Sequence, residues 1–307
     1  MNKMRIVAGG LITIVLLLFG LGGYGYADNL GNTQHCDIAT HEVALDGGVL
    51  YYNRAGEGPL VVLLHGLFAQ KEQWDALLCL LSAAGYTAIA PDLPGYGKST
   101  DFPLADYQLE HQADRIQQLM EALGIHSFDL AGSSMGGAIA ALYVQRYPLS
   151  VRSLAFIGSP LGVVDWSPAV KAAIYQGVNP FIPINAAQFD LEMRLLLVNP
   201  PAIPDEVKEA LIKDYVERNR HYQQVWDIVN LYDTLLYQRR RIRVPTLILW
   251  GENDQIFTVD SADQLRSRIP RSQRVRLPNA GHLPMLENAV ETAAIYIRFL
   301  RGGYVGR

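Results

Sequence analysis

Metal-ligating patterns are missing from this sequence. There is no H-E-x-x-H and no pair of cysteines at ligand spacing, so neither a metal nor a cofactor is expected. A basic excess is missing too: 26 Lys and Arg stand against 30 Asp and Glu, for a net charge of −4. Nucleic-acid binding, which needs a basic face, is not expected from that balance. Internal repeats and low-complexity segments do not occur. A complete nucleotide-binding loop is also lacking, although "PDLPGYGKST" (91–100) ends in the Gly97-Lys98-Ser99 half of one. The pattern G-x-x-x-x-G-K-[ST] needs its first glycine at 92, where Asp92 would repel a phosphate. No nucleotide partner is expected.

What is present is length and apolar content. Half of the 307 residues are hydrophobic, enough for a large core in one α/β domain. Lys3 and Arg5 precede an uncharged, mostly apolar run from Ile6 to Gly23. That run exceeds the ~7–15 residues of a signal-peptide core and reaches the ~18 at which a membrane span becomes the reading. Gly25 and Ala27 offer a signal peptidase its small residues. Two readings of segment 1–27 therefore stay open: a membrane anchor, or a signal peptide cleaved after Ala27. Either implies export, with the catalytic body outside the cytoplasm, because the basic residues flank the short side. Export permits a bridge between Cys36 and Cys79. Cys79, inside "WDALLCLL", reads first as a small buried hydrophobe.

From residue 40 onward, short β-type runs alternate with helical patterns. The runs are 49–53, 60–64, 86–90, 127–132, 153–158, 245–250 and 273–278; the helices are 74–83, 107–123, 136–147, 261–268 and 290–300. Continuous apolar strands separated by helices predict a mostly parallel sheet with helices on both faces. A hairpin around 42–54 should form its antiparallel edge. The alternation breaks over 160–240, which reads as a helical cap inserted between two core segments, 40–159 and 241–307. In an open α/β sheet ligands bind at the carboxyl ends of the strands, so such a cap would roof the site.

The chemistry concentrates in "LAGSSMGGA" (130–138), which ends a strand and opens a helix. That is the setting of G-x-S-x-G, a sharp turn presenting a nucleophilic serine. Residues two before and two after the serine must be small. Gly132 and Gly136 satisfy this around Ser134, whereas Ser133 would have Met135 in the second place. Serine needs a base, and the partners should follow in the order acid, then histidine. "PTLILWGENDQIF" ends a strand and supplies Asp254; "LPNAGHLPML" supplies His282. Asp254 is preferred to Glu252 because it lies further beyond the strand, and Asp165 is the alternative acid. His35 and His41 precede the sheet, while His111, His126 and His221 sit on or beside helices. "LLHGLFAQ" (63–70) supplies the Leu67 backbone N–H, which with that of Met135, the residue after the nucleophile, is expected to form an oxyanion hole. His65 there braces the loop rather than acting as base.

Taken together, "HGLFAQKEQW", "PDLPGYGKS", "GSSMGG", "WGENDQI" and "GHLPMLE" resemble capped α/β-hydrolases of the lipase and esterase group. The cap stretch "NPPAIPDEVKEAL" directs the likeness toward bacterial cold-adapted lipases and membrane-anchored monoacylglycerol lipases. The resemblance covers about residues 42–300. It implies the α/β-hydrolase fold, a Ser134–His282–Asp254 triad, and a small-molecule or lipid acyl ester as substrate at or near a membrane surface. It also makes "DLPGYGKS" a structural turn. Ser134 argues against the family members with an aspartate nucleophile. Carbon–carbon bond or thioester hydrolysis on the same triad is the alternative chemistry, and a non-catalytic ligand-binding homologue the alternative of another class. Phe68, and Trp166 and Phe181 of the cap, are the expected substrate-binding residues. Val163, Ile182, Phe189, Leu195 to Val198, Val225, Trp226 and Leu231 are further apolar cap positions. The basic run 239–243 reads as a solvated hinge.

Overall fold

A computed structural model of the chain describes residues 36–162, 165–230 and 242–303. The N-terminal apolar run, His35, Val163, Leu231 and Arg239 to Arg241 lie outside the described residues. Among the described residues eight strands form one sheet: β1 (Ala39–Leu45), β2 (Gly48–Ala55), β3 (Leu60–Leu64), β4 (Thr87–Pro91), β5 (Phe128–Ser134), β6 (Val151–Pro160), β7 (Thr246–Gly251) and β8 (Ser272–Leu277). Their spatial order is β1-β2-β4-β3-β5-β6-β7-β8. The β1–β2 hairpin supplies the antiparallel edge, β2 also running antiparallel to β4, and every other pairing is parallel. Each expected strand falls at or close to its sequence position.

Burial follows the composition of the strands. β3 (LVVLL) and β7 (TLILWG) are buried at every residue, as continuous apolar runs covered on both faces should be. β1, at the edge, is largely exposed. The covering helices include α1 (Asp75–Ala83), α2 (Leu109–Ala122) and α3 (Met135–Arg146). On α2, Leu109, Ala113, Ile116 and Met120 recur at helical spacing and are among the residues it buries.

Between β6 and β7 the described residues hold four helices and no strand: α4 (Pro168–Tyr175), α5 (Ala186–Leu196), α6 (Asp205–Glu217) and α7 (Asn219–Asn230). α8 (Ser261–Arg268) links β7 to β8, and α9 (Pro284–Glu287) and α10 (Ala289–Leu300) complete the fold. α1 packs with α10, and α2 with α3, forming the layers that cover the sheet.

The chain enters the sheet's centre at β3, moves outward to β4, then returns to the other side of β3 with β5. The strand order therefore reverses between β3 and β5. Their carboxyl ends open the crevice in which ligands of such sheets bind.

One expectation is corrected. Cys79 is not simply a small apolar filler on α1: it forms a disulfide with Cys36, with Cα atoms 5.4 Å apart. The bridge ties the segment before β1 to α1, a proximity between residues 43 apart in sequence that no local pattern reveals.

Candidate active site

Ser134 ends β5 and caps the N-terminus of α3 with φ 49° and ψ −118°. A non-glycine residue in this region carries strain, on the order of 1–3 kcal/mol, so surrounding structure must enforce it. The enforcing contacts are backbone to backbone. A Cβ on Gly132 would lie 2.2 Å from the Gly136 carbonyl oxygen, and one on Gly136 would lie 2.1 Å from that of Leu64. Both flanks of the turn thus exclude any side chain. Ser134 is half-buried and lines a pocket; Ser133 is fully buried and does not. The Met135 side chain is also buried, its sulfur accepting a hydrogen bond from the Tyr96 hydroxyl at 3.3 Å.

Asp254 follows β7 in a tight turn. Its Oδ1 accepts from the amides of Ile256 (2.8 Å) and Phe257 (3.1 Å), which leaves Oδ2 directed at His282 Nδ1, 3.1 Å away. With a carboxylate as its partner, Nδ1 carries the ring proton and Nε2 is the basic nitrogen. Both residues are buried, yet His282 also lines the pocket that Ser134 lines. The alternative acid, Asp165, is 92% exposed and pairs with Lys171 instead; Glu252 is exposed as well. His41, His111 and His126 are exposed. His221 is half-buried, its ring edge-on to Tyr107 and Tyr222.

The loop after β3 is braced from two directions. His65 Nδ1 donates to the Gly66 carbonyl (2.8 Å), and its Nε2 accepts from the Leu93 amide (3.0 Å). Burial lowers the His65 pKa to about 4, which keeps the ring neutral and suited to this bracing. Gln73 Oε1 accepts from the Gly66 amide (3.1 Å), so that amide is engaged and the next along the loop is that of Leu67. Leu67 and Phe68 both line the pocket, and Phe68 has φ 55°, a second left-handed non-glycine residue.

"DLPGYGKS" is also occupied structurally. Asp92 is fully buried and accepts from the Lys71 amide and ammonium (each 2.8 Å) and from the Lys98 amide (3.0 Å). A Cβ on Gly97 would collide with the Asp92 carboxyl group. The turn holds a carboxylate where a phosphate loop would hold an anion from outside.

Apart from Ser134, His282, Glu192 and Tyr215, the described residues lining the pocket are apolar or glycine. Trp166, Phe181 and Trp226 line it and pack on one another with centroids 5.4–5.8 Å apart, while Trp166 also stacks on Phe257 at 4.7 Å. Leu196 lines it as well, whereas Ile182, Phe189, Leu195 and Leu197 are buried away from it and serve the packing of the helices.

Three residues escaped the sequence reading. Gln73 is one. Glu287 is another: its two oxygens accept from the Val198 and Gly281 amides (each 2.6 Å), clamping the His282 loop to the end of α5. Burial pushes the Glu287 carboxyl up from its ordinary range, and the two amide donors oppose that push. The third is Glu192, a buried carboxyl in the pocket wall. Only Glu192 left a signal, as an acidic residue in the apolar stripe of "FDLEMRLLL".

Residues 59–289 match the family described as alpha/beta hydrolase fold. The chain is 30% identical over 255 residues to Lipase 1 of Psychrobacter immobilis, covering 80% of this chain and 78% of that one. It is 30% identical over 264 residues to a monoacylglycerol lipase of Mus musculus, covering 81% and 78%. Among solved structures, a bacterial membrane phospholipase A superposes with a TM-score of 0.79 at 32% identity, covering 95% of this chain and 97% of that one. The protein belongs to the alpha/beta hydrolase fold family, among its lipase- and esterase-like hydrolases. Among the described residues no helix is long and apolar enough to cross a membrane.

Proposed function

We propose that the protein is a serine carboxylic-ester hydrolase acting on lipid-like acyl esters through an acyl-enzyme. The observation that carries this reading is one apolar pocket lined by both Ser134 and His282, with His282 bonded behind to a buried Asp254. In this reaction His282 Nε2 takes the proton of Ser134 as its oxygen attacks the ester carbonyl. The carbonyl oxygen becomes an anion, held by the Leu67 and Met135 amides. His282 then passes its proton to the departing alcohol, leaving Ser134 acylated. Water, deprotonated by the same histidine, releases the acid. Asp254 keeps the Nδ1 proton in place and stabilises the imidazolium formed in each half-reaction.

Segment 160–240 acts as a cap over Ser134. Phe68, Trp166 and Phe181 provide the apolar surface that an acyl chain would cover. The run Ile6–Gly23 exports the protein and either tethers it to the cytoplasmic membrane, with the catalytic body outside, or is removed after Ala27. The relatives named for lipase and membrane phospholipase activity support this assignment, as does the Cys36–Cys79 disulfide, which suits an oxidising compartment.

A fluorophosphonate probe and a chain-length series of p-nitrophenyl esters test the reading. The probe should label the wild type at Ser134 alone. Ser134→Ala should lose roughly 10⁴–10⁶ in kcat, and Ser133→Ala far less. Labelling that persists in Ser134→Ala overturns the proposal.

A further inference from the structure

Among the described residues lining the pocket, Glu192 is the one carboxyl, in a wall built mostly of aromatic and aliphatic groups. It sits on α5 three residues after Phe189 and four before Leu196, inside the stripe that the helix buries. The residue is 3% exposed and lines the same pocket as Ser134 and His282. Its Oε2 is buried without a hydrogen-bond partner. Among the described residues lining the pocket, the other ionisable groups are His282 and Tyr215, and no lysine or arginine is present. The nearby Tyr222 hydroxyl is bonded to Asp214 at 2.6 Å. Burial pushes the Glu192 carboxyl well above the ordinary carboxylate range, favouring the neutral acid.

A buried polar atom left unsatisfied costs stability, and its place in the pocket wall points to a ligand group as its partner. The parts of an ester substrate can be assigned in turn. The acyl chain carries no hydrogen-bonding group. The carbonyl oxygen belongs to the Leu67 and Met135 amides, and the leaving oxygen to His282. What remains is a further group on the alcohol half. A neutral carboxyl both donates and accepts, which matches a hydroxyl. A quaternary ammonium would require Glu192 to ionise against its own desolvation.

We propose that Glu192 determines specificity for the alcohol half of the substrate by hydrogen-bonding a free hydroxyl there, so that polyol esters are preferred over simple alkyl esters. This rests on the ester-hydrolase reading above. A site built to pair with a hydroxyl discriminates against the analogue lacking it, because its polar group is then left unpaired.

The test compares 1-decanoylglycerol with propyl decanoate, which differ only in the two hydroxyls, using the full-length protein. The wild type should favour the glycerol ester in kcat/KM. Glu192→Leu should lower that ratio roughly tenfold to hundredfold, whereas Glu192→Gln, whose amide also donates and accepts, should keep the ratio. A ratio unmoved by Glu192→Leu overturns the proposal. So does a Glu192→Gln variant as impaired as Glu192→Leu, which would mark recognition of a cation. Ether analogues provide a readout free of catalysis. 1-O-decylglycerol should raise the melting temperature of the wild type more than decyl propyl ether does, and Glu192→Leu should abolish the difference. A protein that cleaves neither ester yet shows that difference rejects the hydrolase reading and keeps only the contact between Glu192 and a ligand hydroxyl. Cleavage of both esters with no difference between the ethers does the reverse.

Discussion

His282 Nδ1 lies 3.1 Å from Asp254 Oδ2, and the other oxygen of that carboxylate is occupied by the Ile256 and Phe257 amides. The carboxylate is therefore held from both of its oxygens. Asp254→Asn replaces an acceptor by a donor on one side and sets the wrong histidine tautomer. Steady-state ester hydrolysis should fall by a factor on the order of 10⁴. Asp165→Asn, at an exposed residue paired with Lys171, should stay near wild type. Reversed losses would move the acid to Asp165.

Gly136 marks the closest backbone approach around Ser134. In Gly136→Ala the new Cβ would lie 2.1 Å from the Leu64 carbonyl oxygen, a backbone atom of a central strand that cannot swing aside. Urea unfolding should show a loss of about 1–3 kcal/mol or more, with hydrolysis failing in parallel. In Gly137→Ala the new Cβ meets Pro160 Cβ at 3.0 Å, so its loss should be smaller. Equal stability of the two variants would remove the steric account of the turn.

His65 makes stability depend on pH. Its folded pKa of about 4 lies below the ordinary histidine value of 6.5, so the unfolded chain binds the proton more readily. The contribution is complete above pH 6.5 and is lost as pH falls from there through about 4. A difference of this size corresponds to about 3 kcal/mol. His65→Gln should be less stable than wild type at pH 7.5, with a shallower decline over the same window. Parallel stability curves for the two proteins would exclude His65 as the source.

The Cys36–Cys79 bridge closes a long loop around β1, β2 and β3. Reducing it, or replacing both cysteines by serine, should lower unfolding free energy by about 2–4 kcal/mol. Urea denaturation with and without dithiothreitol should bring the wild type onto the double variant. Overlapping curves for oxidised wild type and double variant would say that the bridge contributes nothing.

Sequence by itself determined the elements and the order in which they follow one another. β3 and β7 were legible because a strand covered on both faces must be continuously apolar, and α2 because its buried side chains repeat at helical spacing. Ser134 was distinguishable from Ser133 because steric demands two residues away act within a single local turn. Asp254 and His282 were nominated as residues just past strand ends, a position that chain order alone defines. The tertiary structure decided what pairs across distance. Cys36 meets Cys79, Gln73 meets the Gly66 amide, and Glu287 meets Val198, 89 residues away. Glu192 likewise reads from sequence only as an acid on an apolar stripe; that the stripe faces the pocket of Ser134 depends on how α5 packs over the sheet. Local patterns record which face of an element is apolar, because periodicity is a property of one segment. The partner that each face meets is a property of the packed whole.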